Sequence, residues 1–229
     1  GECIVRDIYI KNDTDKDIDN LILRINSNNN LIKKFEMGIQ KIKSEEELHF
    51  KNLKVDINAD YLASLTEKII CSIDVSVSFE NNILVSETKN ITALAFDQWP
   101  GLQYTPELLV SFAMPNHPVV ISLLQLAAKY LDKWTNEPSL AGYQFDDPNR
   151  VKTMAAAAYA AIQQKNITYA EPPSSFEDFG QRIRLADAVM EQHLGTCLDM
   201  TLLYVACLEA MGLNPIMVMM NGHIFAGVW

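Results

Sequence analysis

Residues 195–229 have the sequence GTCLDMTLLYVACLEAMGLNPIMVMMNGHIFAGVW, and this stretch does most to decide the fold of the second half of the chain. Its first part predicts a helix with both ends marked. Thr196 is a candidate N-cap, Asp199 follows three residues later in the first turn, and Gly212 fits the left-handed position just past the last turn. We therefore expect one helix from about 197 to 211.

The residues after this helix predict an antiparallel hairpin. Residues 214–220 are mostly apolar and indicate a buried strand, and Asn221-Gly222 is a strong signal for a tight hairpin turn. The returning strand would then begin at His223. A strand packed beside the helix could bring this imidazole to Cys197.

Cys197 and His223 are the candidate catalytic residues. At a helix start, unpaired backbone N–H groups and the positive end of the helix dipole stabilise a thiolate, which makes Cys197 a candidate nucleophile. His223 would act first as general base and then as general acid. Cys207, in the middle of the same helix, is expected to be an inert core residue.

An acyl-transfer site of this kind also needs hydrogen-bond donors for the developing oxyanion. The Cys197 backbone N–H would be one donor, and the side-chain amide of Gln192 or Gln181 could be a second. Both glutamines stay open as candidates. His193 precedes the helix cap and is expected to face solvent.

Three charged residues near the helix start have structural and functional interpretations. Asp199 is expected to stabilise the first helical turn rather than to act as a catalytic acid. Arg182 and Arg184 could bind a substrate carboxylate, or they could form salt bridges with Asp187 and Glu191.

Gly195-Thr196-Cys197 at a helix start, the bend at residues 212–215 and the strand histidine His223 resemble the transglutaminase-like branch of papain-like cysteine enzymes. This resemblance covers roughly residues 180–229. It implies a third catalytic residue, usually Asp, on the strand after the histidine. Because the sequence stops at Trp229, we expect this domain to be truncated at its C-terminus.

A wider resemblance covers most of the chain. The segments at 115–118, 142–144, 180–184 and 222–229 are similar to the N-terminal DUF4011 region of large bacterial helicase-related proteins. This resemblance implies that the chain is the N-terminal fragment of a protein that continues into superfamily 1 helicase and nuclease-like modules, with a role in DNA processing or in defence against foreign DNA.

The sequence predicts an α+β fold with two domains. Residues 1–97 contain about seven short runs with strand character, of which 72–80 alternates most regularly, and they predict an immunoglobulin-like β-sandwich. The other runs lie at 4–10, 21–25, 31–35, 53–57 and 83–85, with a turn at Asn81-Asn82. Residues 98–229 contain all nine prolines. Helical patterns at 116–131 and 148–161 predict a helix-rich papain/transglutaminase-like domain with a small antiparallel sheet.

Composition excludes several classes of protein. The chain has 229 residues, 48% of them hydrophobic, and no apolar run reaches the length of about 20 residues that a membrane helix needs. A formal net charge of -10 argues against direct contact with nucleic acid. Four separated cysteines favour the cytoplasm over a disulfide framework, although the count alone would allow two bridges. No metal or cofactor motif is present, so we expect neither.

Two functions from different classes remain open. In the first, Cys197 and His223 catalyse acyl transfer from a protein or peptide substrate; we favour transfer to water, as in a peptidase or amidase, over transfer to an amine, as in a transglutaminase. In the second, the cleft is catalytically inactive and binds a peptide or a partner domain, as a scaffold module of the helicase.

Overall fold

The structure, a computed structural model, describes residues 4–80, 82–171 and 179–229. Of the turn predicted at Asn81-Asn82, Asn81 lies outside these residues, and the prediction is wrong for Asn82, which is the first residue of a strand and pairs with Phe79. Within them the chain is mixed α and β, with six helices and several small sheets, most of them antiparallel. It divides into two compact units, the first ending at Phe96 and the second beginning at Asp97. Over the same described ranges, no helix is long and apolar enough to cross a membrane.

The first unit is rich in strands. Its elements are β1 (Val5–Lys11), β2 (Ile18–Ser27), β3 (Phe35–Ile42), β4 (Glu47–Leu53), α1 (Ala59–Ala63), β5 (Ile69–Phe79) and β6 (Asn82–Ala93). One antiparallel sheet has the strand order β3-β2-β5-β6, and β1 pairs with β4 in a second antiparallel sheet. Side chains from both sheets, among them Leu23 of β2 and Phe50 of β4, contribute to one apolar cluster.

Strand periodicity succeeds for some segments and fails for others. Alternation at 72–80 correctly predicts most of β5, whereas the strands predicted at 31–35 and 53–57 are largely wrong. Leu31 and Ile32 are buried, but they lie in a connection that makes a single bridge to Ile57. These short apolar runs therefore indicate burial and not strand.

The second unit combines helices with two-stranded sheets. Its elements are β7 (Gln98–Trp99), a 3-10 helix (Pro106–Phe112), α2 (Pro118–Thr135), α3 (Pro148–Gln163), β8 (Thr168–Tyr169), β9 (Gln181–Arg182), α4 (Ala186–Gln192), β10 (Leu194–Gly195), α5 (Cys197–Ala210), β11 (Pro215–Met220) and β12 (His223–Val228). Strand β7 pairs with β9 and β11 with β12, both antiparallel, while β8 pairs with β10 in parallel. The helices predicted at 116–131 and 148–161 are confirmed as α2 and α3.

Helix α5 is the centre of the second unit. It contacts α2, α3 and α4 and both strands of the β11–β12 hairpin. Apolar side chains cover nearly its whole circumference, so it is buried on most sides. A helix enclosed in this way can hold the residue at its first position rigidly, and that residue is Cys197.

Candidate functional site

Helix α5 begins at Cys197 because Thr196 and Asp199 cap it reciprocally. The Asp199 N–H donates to Thr196 Oγ1 at 3.3 Å, and the Thr196 N–H donates to Asp199 Oδ2 at 2.9 Å. The helix start predicted from the sequence is thus confirmed. Cys197 lies in the first turn and is 8% exposed. Its thiol therefore stands at the N-terminal end of α5, where backbone N–H groups lack partners within the helix.

The carboxylate of Asp199 also joins α5 to the segment that carries β9. Asp199 is buried, its Oδ1 accepts the Arg184 backbone N–H at 2.9 Å, and its Oδ2 lies 3.3 Å from Arg184 Nη1. Asp199 is therefore a helix stabiliser, as expected. Arg184 pairs with this residue, and Arg182 Nη1 lies 3.5 Å from a carboxylate oxygen of Asp97.

Cys197 lines a cavity of about 400 Å³, a size typical of small-ligand sites. Its walls are formed by Trp99, Leu102, Gln181, Cys197, Leu198, Met219, Met220, Asn221, Gly222, His223 and Ile224. Most of these side chains are apolar, and the polar groups include the amide of Gln181 and the imidazole of His223. The cavity thus brings together both predicted catalytic residues and one predicted oxyanion donor.

The β11–β12 hairpin carries His223 to this cavity. His223 is the first residue of β12 and pairs with Met220 across the predicted Asn221-Gly222 turn. The hairpin is fixed to α5 by the hydroxyl of Thr201, which donates to the Ile224 carbonyl oxygen at 3.1 Å. Because Thr201 lies one helical turn after Cys197, this bond holds the start of β12 beside the first turns of α5.

The two candidate oxyanion donors occupy different places. Gln181 is half-buried on β9, where it pairs with Trp99 of β7, and it lines the cavity. Gln192 is exposed at the end of α4, and its Oε1 accepts a hydrogen bond from Arg184 Nε at 3.2 Å. Gln192 does not line the cavity. Of the two, only Gln181 is therefore placed to reach a substrate there.

Tyr169 is a neighbour of Cys197 that the sequence did not reveal. It lies on β8, directly opposite Gly195 of the parallel strand β10. Charge on the Cys197 sulfur raises the pKa of Tyr169, and burial, a hydrogen bond to that sulfur and the charge of Glu171 raise it further. No motif marks this tyrosine, because two-residue strands that pair across 26 positions leave no periodic signal.

The other described cysteines have different surroundings. Cys207 is completely buried in α5, and burial raises the pKa of its thiol to about 12, which agrees with the expectation of an inert core residue. Cys71 is buried in the first unit, where burial raises the pKa of its thiol. Across residues 4–80, 82–171 and 179–229, no group of three or more His, Cys, Asp or Glu side chains could hold a metal ion.

Together these residues form a pocket with a thiol at a helix N-terminus, an imidazole and an amide on its walls, and an apolar lining. Such a set can in principle form and break a thioester, or bind a peptide that presents an apolar side chain. No protein-family model, no curated protein and no solved structure matches the chain.

Proposed function

We propose that the second unit is a transglutaminase-like, papain-like cysteine enzyme that hydrolyses amide bonds, with Cys197 as nucleophile and His223 as general base. The observation that carries this proposal is that both side chains line one cavity, although 26 positions separate them along the chain. The Thr201–Ile224 hydrogen bond supports it further, because it links the helix of the thiol to the strand of the imidazole.

In the proposed reaction, His223 accepts the proton of the Cys197 thiol and the sulfur attacks the carbonyl carbon of a peptide amide. The C–N bond of the tetrahedral intermediate then breaks, and His223 returns the proton to the leaving amine. A water molecule, deprotonated by His223, attacks the thioester. The C–S bond breaks, a carboxylic acid leaves, and the Cys197 thiol is restored.

The oxyanion would be stabilised by the Cys197 backbone N–H and by the side-chain amide of Gln181. Both groups belong to residues that line the cavity, and Gln181 is held on the β7–β9 pair. The resemblance to transglutaminase-like enzymes places a third catalytic residue on a strand after β12.

The proposal is tested by the rate at which iodoacetamide alkylates Cys197, measured by peptide mass mapping. We expect His223→Ala to slow alkylation at pH 7 by about tenfold, because the imidazole no longer takes up the thiol proton. His193→Asn is the matched control, since it removes an exposed imidazole at a left-handed position that Asn tolerates. Equal rates in the wild type and His223→Ala would contradict the Cys–His pair.

The apolar lining favours a second candidate function, which is peptide binding without catalysis. Trp99, Leu102, Met219 and Met220 give the cavity a surface that fits an apolar side chain, and aromatic and methionine side chains are common at peptide-binding surfaces. Fluorescent peptides separate the two functions. A binding module would retain them unchanged in wild type and Cys197→Ser, whereas the enzyme would cleave them in the wild type only.

Further parts of the proposal concern the rest of the protein. We propose that the first unit is an immunoglobulin-like sandwich, an interpretation supported by the shared apolar cluster of its two antiparallel sheets. We also propose, from the DUF4011 resemblance alone, a cytoplasmic protein with helicase and nuclease-like modules in a DNA-processing or defence role.

A further inference from the structure

Strand β6 lies at the edge of the four-stranded sheet of the first unit. It pairs with β5 on one side, and within residues 4–80, 82–171 and 179–229 no strand pairs with its other side. The strand is 12 residues long, so a long row of backbone N–H and C=O groups points away from the sheet. An edge of this length is a template for the addition of another strand.

The start of β6 also carries apolar side chains that its own sheet leaves uncovered. Val85 lies opposite Val77 of β5, so the two side chains share one face of the sheet. Val77 is 4% exposed and belongs to the apolar cluster that includes Phe50 of β4, whereas Val85 is 57% exposed. Ile83 and Leu84, just before Val85, are exposed as well. At this end of the sheet the core therefore stops at β5.

Two copies of β6 are complementary on this face in one antiparallel register. A two-fold axis perpendicular to the sheet keeps equivalent faces of both copies on the same side. With the axis at Thr88, Glu87 of one copy faces Lys89 of the other, and Val85 faces Ile91. Opposite charges and apolar side chains that face each other directly stabilise strand pairing.

The opposite, polar face matches in the same register. Ser86 faces Asn90 there, and Thr88 faces its own equivalent. A shift of the axis to Glu87 would bring two carboxylates together, and a shift to Lys89 would bring two ammonium groups together, which is unfavourable in both cases. Within one copy Lys89 Nζ lies 2.7 Å from Glu87 Oε1, and both side chains are largely exposed. The same two groups can therefore pair between copies.

We propose that β6 is a self-association surface, through which two copies of this chain join their four-stranded sheets into one continuous antiparallel sheet with its two-fold axis at Thr88. The partner is a second copy because the charges and the apolar side chains of β6 complement one another in this register. The pairing covers Val85 and satisfies the outward backbone groups of residues 85–91. This inference is independent of the chemistry proposed for Cys197.

Sedimentation velocity of the full chain over a series of concentrations tests the association. We expect a dimer that dissociates on dilution. We expect Glu87→Lys to raise its Kd by about tenfold or more, because like charges then face each other at two symmetric positions. Glu209→Lys is the matched control, since it makes the same change of charge at an exposed position of the second unit. This control should leave the Kd within about twofold of the wild type.

Charge exchange tests the register. Lys89→Glu should weaken self-association as Glu87→Lys does. An equimolar mixture of the two single variants should associate nearly as well as the wild type, because opposite charges again face each other between unlike copies. The double variant Glu87→Lys/Lys89→Glu should also recover self-association.

Cross-linking locates the two-fold axis. In Thr88→Cys the two new thiols face each other with Cα atoms about 4.5–5.5 Å apart, which a disulfide can span. We expect copper-phenanthroline oxidation in air to link Thr88→Cys into dimers much faster than Ser86→Cys, whose side chain faces Asn90. Cys71, Cys197 and Cys207 are buried and are therefore poor competitors for this reaction.

Several results would overturn the proposal. One is a wild type that sediments as a monomer at every concentration up to about 1 mM, where even a weak pair would be populated. Another is a dimer whose Kd neither single charge reversal changes, since a different surface would then hold it together. Failure of the mixed variants to associate, or equal cross-linking of Thr88→Cys and Ser86→Cys, would overturn the axis at Thr88.

Discussion

The hydroxyl of Thr201 donates a hydrogen bond to the carbonyl oxygen of Ile224 at 3.1 Å, and this bond joins the helix that begins with Cys197 to the strand that begins with His223. Both Thr201 and Ile224 are buried. A side-chain hydrogen bond between a helix and a neighbouring strand fixes their relative position along both axes. The geometry of the candidate site therefore depends on a residue that does not line the cavity.

Thr201→Val tests this relationship, since valine keeps the shape of threonine and removes its hydroxyl. The buried Ile224 carbonyl oxygen loses this donor, so we expect the free energy of unfolding to fall by about 1–2 kcal/mol. We also expect His223→Ala to slow the alkylation of Cys197 less when it is combined with Thr201→Val than when it is made in the wild type. Urea unfolding followed by tryptophan fluorescence reports on this unit alone, because all three tryptophans lie after Phe96.

Thr153→Val is the matched control for this change. The Thr153 hydroxyl donates to the Asn149 carbonyl oxygen at 2.8 Å within α3, so its loss does not affect the hairpin. If Thr201→Val and Thr153→Val have the same effect on the alkylation rate of Cys197, the Thr201 hydrogen bond does not position His223.

Asp199→Asn tests the buried carboxylate at the start of α5. The substitution removes the charge that faces Arg184 and weakens the capping box with Thr196, and we expect the unit to lose about 3 kcal/mol of stability. Glu209→Gln removes an exposed carboxylate from the same helix and should change stability by less than about 0.5 kcal/mol. Urea midpoints of the two variants check this, and similar small losses would show that the buried pair contributes little.

Much of this site could be predicted from the sequence because its signals are local. The capping residues Thr196 and Asp199, the left-handed Gly212 and the Asn221-Gly222 turn each act within a few residues, and the structure has all of them as expected. Local signals of this kind determine that Cys197 is the first residue of a helix and that His223 is the first residue of a strand.

The features that the sequence did not reveal depend on contacts between distant segments. Tyr169 reaches Cys197 only through the β8–β10 pair, and the choice between Gln181 and Gln192 depends on which of them Arg184 engages. In the first unit, β3 and β4 carry exposed polar side chains at alternate positions, such as Glu36. The few buried residues of these strands do not form the apolar runs on which the strand predictions were based.

Gln181→Ala tests the placement of the oxyanion donor. If the amide of Gln181 donates to the tetrahedral intermediate, its removal should lower the rate of peptide-amide cleavage by about 10²–10³-fold with a smaller change in KM. Gln192→Ala should change the rate by less than about threefold, because Gln192 bonds Arg184 outside the cavity. Cleavage assays with a set of amide substrates measure both variants. A greater loss in Gln192→Ala than in Gln181→Ala would contradict the assignment.

The stability of the second unit should fall in alkaline solution because of Cys207. Burial raises the pKa of this thiol from 9.0 to about 12, so between these values the unfolded chain loses a proton that the folded protein keeps. The unfolded state then binds fewer protons, and the free energy of unfolding decreases as pH rises, by about 1.4 kcal/mol per pH unit. Below pH 9 the contribution is fully present. Tyr204, whose pKa burial raises to about 12, adds a slope of the same sign above pH 10.

Urea unfolding between pH 7 and pH 11 in reducing buffer, followed by tryptophan fluorescence, measures this dependence. Cys207→Ala leaves a small cavity and lowers stability at every pH, so the slope and not the absolute value is compared. We expect the slope between pH 9 and pH 10 to be smaller in Cys207→Ala than in the wild type, while Tyr204→Phe changes it only above pH 10. An identical slope in Cys207→Ala and the wild type would mean that the thiol ionises in the folded protein, for which α5 would have to open locally.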